Sequence, residues 1–238
     1  MDTSYFLIGG ILFLSAFTQG LSGFGVALVS MALLPGLIGI RSSVVLVALI
    51  AFVVDLGVLV RYWRSMQFRK ILPVILASLV GVPMGIFVLR RLDEGITLAI
   101  LGIILAGYAL YALSGLRLPE LKGRGWAYGA GFIGGLLGGA YNTSGPPIIM
   151  YASCKKWSPK VFKGNLQSFF VQNTFIVVVG HWLSGNITDE IWSLFGRGIP
   201  WLLAGTLVGI SMDRWIKPEI FRKVVLVLLV VMGIRLVF

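Results

Sequence analysis

Residues 126–153 form an apolar run long enough to cross a bilayer, yet its middle reads GGAYNTSGPP (138–147). A helix in hydrocarbon must close its backbone hydrogen bonds internally, because no water is there to take them. Three glycines, an Asn-Thr-Ser triplet and a Pro-Pro pair work against that closure. The run is therefore expected to break, with its freed backbone groups facing protein or a polar cavity rather than lipid. A second run, residues 4–34, carries a comparable interruption, QGLSGFG (19–25).

The rest of the chain is membrane in character. Of 238 residues, 58% are hydrophobic and 12% charged, where a soluble domain carries about 25% charged. Eight apolar segments can be marked, at 4–34, 43–60, 71–89, 95–116, 126–153, 164–183, 197–212 and 220–238. Spanning a bilayer needs about 20 residues. The N-terminal MDTSYFLIGG lacks a basic n-region and its apolar stretch continues as a helix, so no removable signal peptide is expected. The net charge of +11 is scattered over short loops, which suits headgroups and orientation rather than nucleic acid. The single cysteine, Cys154, cannot form an internal disulfide and reads as a small apolar residue near a helix end.

The basic residues discriminate between two topologies. If all eight segments cross, the Lys and Arg residues divide 9 to 11 between the two faces and carry no orientation signal. If the two interrupted segments enter and return, one face holds Arg61, Arg64, Arg69, Lys70, Arg117, Lys122, Arg124, Lys155, Lys156, Lys160, Lys163, Arg214, Lys217, Arg222 and Lys223. The other holds Arg41, Arg90, Arg91, Arg197 and Arg235. A split of 15 to 5 is a positive-inside pattern with both termini outside.

The halves also repeat. FTQGLSGFG (17–25) aligns with FIGGLLGGA (132–140), setting Gly20 on Gly135 and Gly23 on Gly138. LPVILASLVG (72–81) aligns with IPWLLAGTLVG (199–209), with one inserted residue. Ala77 and Gly81 then match Gly205 and Gly209, small residues four apart that let helices approach. The expected fold is an all-α polytopic membrane protein of two inverted repeats, 1–117 and 126–238. Each repeat holds one re-entrant helical hairpin and three transmembrane helices, a plan common to secondary transporters. Glycine-rich faces are also compatible with a homodimer.

A glycine-rich break followed by proline at the start of each half, QGLSGFGVALVSMALLP (19–35) and GGLLGGAYNTSGPPIIMY (134–151), resembles the sulfite exporter TauE/SafE family. The second motif is richer in Asn, Thr and Ser than the longer glycine run expected there. The resemblance covers essentially the whole chain. It implies export of sulfite, a sulfonate or a related organic anion, and a place in a bacterial inner membrane.

The chemistry of the breaks agrees with an anion. The N-terminus of a half-helix carries partial positive charge and unpaired amides. Candidate binding residues are Gln19, Gly20, Ser22, Gly23, Phe24 and Gly25 in the first break and Asn142, Thr143, Ser144, Gly145 and Pro146 in the second. The alternative for either break is a helix kink packed with small residues. Segment six, GNLQSFFVQNTF (164–175), is too polar for a lipid face, and its Gln172 and Asn173 are candidate pathway residues. Interhelical hydrogen bonding would explain it as well. Asp55 is the acid deep within an apolar segment, and such residues default to function. It is a candidate for coupling proton movement to anion movement, or for pairing with Arg61 or another arginine. His181, beside Trp182 at a helix end, and Tyr62, Trp63, Trp126, Trp157, Trp192 and Trp215 read as interfacial belt residues.

No cluster with metal spacing, no GxSxG and no Walker A motif are found. An enzyme, a metal site and a cofactor are therefore not expected. The expected function is a secondary transporter of a small anion in the export direction. The alternatives are a passive anion channel, a membrane subunit of a larger assembly or, more remotely, a membrane-embedded enzyme.

Overall fold

The computed structural model describes residues 3–116, 119–121, 123–155, 157–212 and 218–238. Arg117, Lys122, Lys156, Arg214, Trp215 and Lys217, named above for orientation or the belt, lie outside the described residues. Among the described residues the secondary structure is helical throughout. The first segment is two helices, α1 (Thr3–Ser22) and α2 (Val26–Leu33), and a short helix α3 (Pro35–Ile38) leads into α4 (Ile40–Tyr62). After a 3-10 turn (Trp63–Ser65) come α5 (Phe68–Arg91) and α6 (Glu94–Leu113). The fifth segment is again two helices, α7 (Gly125–Tyr141) and α8 (Gly145–Ser153), followed by α9 (Pro159–Leu183), α10 (Asp189–Met212) and α11 (Pro218–Val237).

Both expected interruptions are present, and each has a conformational cause. Gly23 and Gly25 adopt φ of 81° and 124°, which suit glycine alone. A Cβ on Gly25 would also meet Thr18 Cγ2 at 2.8 Å. In the second break Asn142 stands in the left-handed region with φ 55°, alone among the described non-glycine residues. Asn tolerates that conformation better than most residues. Its N–H donates to Gly138 O at 2.8 Å, closing the end of α7.

Several helices outrun the apolar windows at polar ends. α9 begins at Pro159 rather than 164, because proline at the first turn forfeits no intrahelical bond. α10 begins at Asp189 rather than 197, because Asp189 and Glu190 sit in its first turn, where the helix dipole favours negative charge. Among the described residues five helices are long and apolar enough to cross a membrane: α1, α4 with its 3-10 turn, α5, α6 and α10.

Helix pairing follows the small residues. α5 packs along α7 and α1 along α10. A Cβ on Gly131 would strike the backbone of Val74, on Gly135 that of Ser78, and on Gly139 that of Val82. The two helices therefore run parallel and touch backbone to backbone. On the other pair, a Cβ on Gly205 would strike Phe13 and on Gly209 would strike Phe17, so α1 and α10 also run parallel. Close approach of this kind is how membrane helices gain van der Waals contact without a hydrophobic drive. α4 packs against α9 and α6 against α11, and both pairs run antiparallel. Gly164 meets Tyr62 near one end of the α4–α9 pair, while Ala48 and Val177 share a cluster toward the other. Val237 lies against Gly102, and Gly233 against Ala106.

Candidate functional site

The two breaks meet. One buried cavity of about 30 Å³ is lined by Gln19, Phe24 and Gly25 from the first break and by Asn142, Thr143, Ser144 and Gly145 from the second. The start of α2 (Val26, Ala27, Leu28), Ala51 and Asp55 of α4, and Phe170 and Thr174 of α9 complete the wall. The volume holds about one or two waters.

Gln19 organises the first break. Its Oε1 accepts the Val26 N–H at 3.0 Å, one of the donors a helix start leaves unpaired. Its Nε2 donates to Asp55 Oδ1. A single side chain thus ties the end of α1, the start of α2 and the carboxyl of α4. Asp55 is 2% exposed, and its partner is this amide rather than Arg61. From the other side Gln167 Nε2 donates to Gly23 O at 2.6 Å.

Asn142 organises the second break, its Nδ2 donating to Val44 O at 2.9 Å. Its Oδ1 and the Thr143 hydroxyl are buried without a partner. Pro146 and Pro147 follow Gly145 in the first turn of α8 and carry no N–H. The two half-helix starts are therefore unequal. That of α2 offers the first-turn amides beyond Val26, whose N–H Gln19 already takes, whereas the second break presents mainly the side chains of Asn142, Thr143 and Ser144, since the Asn142 and Thr143 amides donate to Gly138 O and Leu137 O.

Seven of the candidate residues, Gln19, Phe24, Gly25, Asn142, Thr143, Ser144 and Gly145, line the one cavity together with Asp55. The others lie around it. A Cβ on Gly20 would strike the backbone of Thr206, so Gly20 sits in the α1–α10 contact. The Ser22 hydroxyl lies 2.7 Å from Thr18 O, within its own turn. Gly23 receives Gln167, and Pro146 is buried in the first turn of α8. Gln172 is partly buried and lies away from the lining. Asn173 is 1% exposed, beside Gly138, with neither amide atom partnered.

Ala51, Phe170, Thr174 and the start of α2 are cavity residues that were not among the candidates read from sequence. A usable signal was there: Phe170, Thr174, Val177 and His181 recur at helical spacing on one face of α9. On α4 the matching stripe is Arg41, Val45, Ala48, Ala51 and Asp55. Because the helices run antiparallel, these stripes face each other in register. Asp55 and Ala51 lie opposite Phe170 and Thr174 at the cavity. One turn on, Ala48 and Val177 join Val82 and Ile86 in a separate fully apolar cluster. Beyond that layer Arg41 and Val45 meet His181 at a second cavity. In the opposite direction Tyr62 receives Lys163, whose Nζ lies 3.4 Å from the phenol oxygen.

His181 corrects an expectation. It is fully buried, with Asn186 Nδ2 2.9 Å from its Nδ1, so it is not a belt residue. Trp63, Trp126, Trp182 and Trp192 are each more than half exposed, as a belt requires. Cys154 is buried just past α8.

Comparison with known proteins agrees with this architecture. The family model for sulfite exporter TauE/SafE matches residues 7–236. The Probable sulfite/organosulfonate exporter TauE of Cupriavidus necator is 24% identical over 225 residues, covering 92% of this chain and 88% of that relative. No solved structure matches the chain at a significant level. A helical chain with five apolar helices long enough to span, matched over nearly its whole length, is a multi-pass membrane transporter and belongs to the sulfite exporter TauE/SafE family.

Proposed function

We propose that the protein is a proton-coupled secondary transporter that exports a small sulfur oxyanion or organosulfonate through the cavity where the two breaks meet. The observation that carries this is the convergence on one site of two helix interruptions and a buried carboxyl. The first-turn amides of α2 and the hydroxyls of Thr143 and Ser144 suit an anion that is held and then released. The substrate class is carried over from the family and from the name of the relative in Cupriavidus necator.

The coupling follows from charge. An ionised Asp55 beside a bound anion in a poorly solvated cavity is strongly repulsive. Anion and proton therefore load together, the proton residing on Asp55. Between this cavity and the face of Arg41 lies the apolar layer of Ala48, Val82, Ile86 and Val177.

We further read the chain as an inverted repeat, 1–117 and 126–238. The support is directional. Under exchange of the halves α4 corresponds to α9 and α6 to α11, and both pairs run antiparallel. The pairs α1–α10 and α7–α5 exchange with one another, and both run parallel. A two-fold axis in the membrane plane produces this pattern, whereas repeats related by an axis along the normal would keep equivalents parallel. The same directions bring both termini to the face of Arg41 and Arg90, opposite the basic loops. With the positive-inside rule that face is outside, in a bacterial inner membrane.

The test is efflux from proteoliposomes loaded with sulfite or methanesulfonate, with and without an imposed pH gradient. The expected result is saturable efflux that responds to the gradient in wild type and loses that response in Asp55→Asn. Efflux equally gradient-dependent in Asp55→Asn would sink the coupling, and no efflux of either anion would sink the substrate class.

A further inference from the structure

Beyond the apolar layer lies a cavity of about 310 Å³, at the membrane face where α4 begins and α5 and α9 end. It is lined by Arg41, Ser42, Arg90, His181, Asn186 and Thr188 among others, and no carboxylate is part of its wall. We propose that it is a second anion site, binding a small tetrahedral or pyramidal oxyanion such as sulfate or sulfite.

The hydrogen bonds dictate the polarity of the wall. Arg90 Nη2 donates to Ser184 O at 3.0 Å and to Asn186 Oδ1 at 3.4 Å. That pins the Asn186 amide with its oxygen toward the guanidinium and its Nδ2 toward His181. Asn186 Nδ2 then donates to His181 Nδ1 at 2.9 Å, so the neutral ring carries its proton on Nε2. Nε2 is buried and has no partner. Arg41 makes no hydrogen bond or ion pair among the described residues. The wall therefore presents two guanidinium groups and the Ser42 hydroxyl, a set dominated by donors. Such a set is satisfied by a ligand made of acceptors, and a planar guanidinium pairs with an oxyanion in bidentate fashion.

The acids nearby face elsewhere. Glu94 Oε1 accepts the Ile40 N–H at 3.2 Å. Asp189 and Glu190 are exposed in the first turn of α10, outside the cavity wall. The site is also next to the central one along the chain. Val45 belongs to its wall, and the carbonyl of the preceding residue, Val44, holds Asn142 of the second break. An anion leaving the central cavity past the apolar layer would arrive here. The binding claim itself does not depend on which anion the central cavity carries.

The test uses the purified full chain and sulfate as probe, at constant ionic strength held with sodium gluconate. Ligand that binds the native state raises its apparent melting temperature. The expected result is a saturable rise in wild type and in the central-site variant Asn142→Ala. The apparent Kd for sulfate should increase at least tenfold in Arg41→Gln, an exposed residue whose variant is expected to elute as wild type does on size exclusion. Arg90→Lys, which keeps the charge but not the planar fork, should raise Kd by about three- to tenfold. A wild type without any sulfate response overturns the proposal, as does an unchanged Kd in Arg41→Gln. Abolition of the response by Asn142→Ala assigns sulfate to the central cavity and also overturns it.

Discussion

Gln19→Leu should disconnect the first break. The native amide makes two buried hydrogen bonds, accepting from Val26 N–H and donating to Asp55. Leucine has nearly the same volume, so the change removes polarity without opening a large cavity. It leaves the Val26 N–H buried and unpaired, at about 1–3 kcal/mol, and strips Asp55 of the partner to its carboxyl, at about 1.5–3 kcal/mol. Together the loss is about 2.5–6 kcal/mol, which for a chain of this length lowers Tm by roughly 5–24 °C. Differential scanning fluorimetry in detergent reads this directly. The control is Ser22→Ala. Its hydroxyl bonds only backbone within its own loop, to Thr18 O or Phe24 O, so Tm should fall by no more than about 4 °C. If Gln19→Leu melts within 2 °C of wild type and still transports, the break is not held by this side chain, and the linkage between α1, α2 and Asp55 is wrongly drawn.

Three further outcomes follow from the packing. Asn142 occupies the left-handed region, so Asn142→Gly should retain a folded, monodisperse protein on size exclusion, while Asn142→Val, β-branched at φ 55°, should lose about 1–2 kcal/mol more. Gly85→Leu should abolish monodisperse protein in fluorescence size exclusion, because even a Cβ at that position would strike Leu136 O and come within 2.8 Å of Ala140 N. Val177→Ala thins the apolar layer between the central cavity and the Arg41 mouth, so proteoliposomes should leak the transported anion without responding to a pH gradient, and a tight, fully coupled variant would remove this layer from the pathway.

Much of the architecture was legible in the residues because the bilayer enforces it. Eight apolar segments, two of them interrupted, had to appear as helices with two breaks, since lipid allows few other forms. The positions of the breaks followed from local chemistry: both stretches are rich in glycine, and Gly23, Gly25 and Asn142 are the residues there that take positive φ. What hydropathy could not locate were the polar ends, such as Pro159–Phe162 of α9 and Asp189–Gly196 of α10, because composition there reads as loop while caps and dipole still favour helix.

The site was only half legible for a different reason. That Gln19, Asn142, Ser144 and Asp55 were too polar for lipid is a property of each residue and its neighbours, visible in one dimension. That Gln19 reaches Asp55, 36 residues away, and that Asn142 reaches Val44, 98 residues away, depends on which helices pack together. The stripes on α4 and α9 illustrate the limit. Each has a helical period that can be counted, but their facing in antiparallel register is set by backbone approach elsewhere, where Gly135, Gly139, Gly205 and Gly209 clamp α5 to α7 and α1 to α10. Periodicity belongs to a single helix and is written in the chain. The cavity, the apolar layer and the donor-lined mouth exist only between helices, so tertiary packing alone decided them.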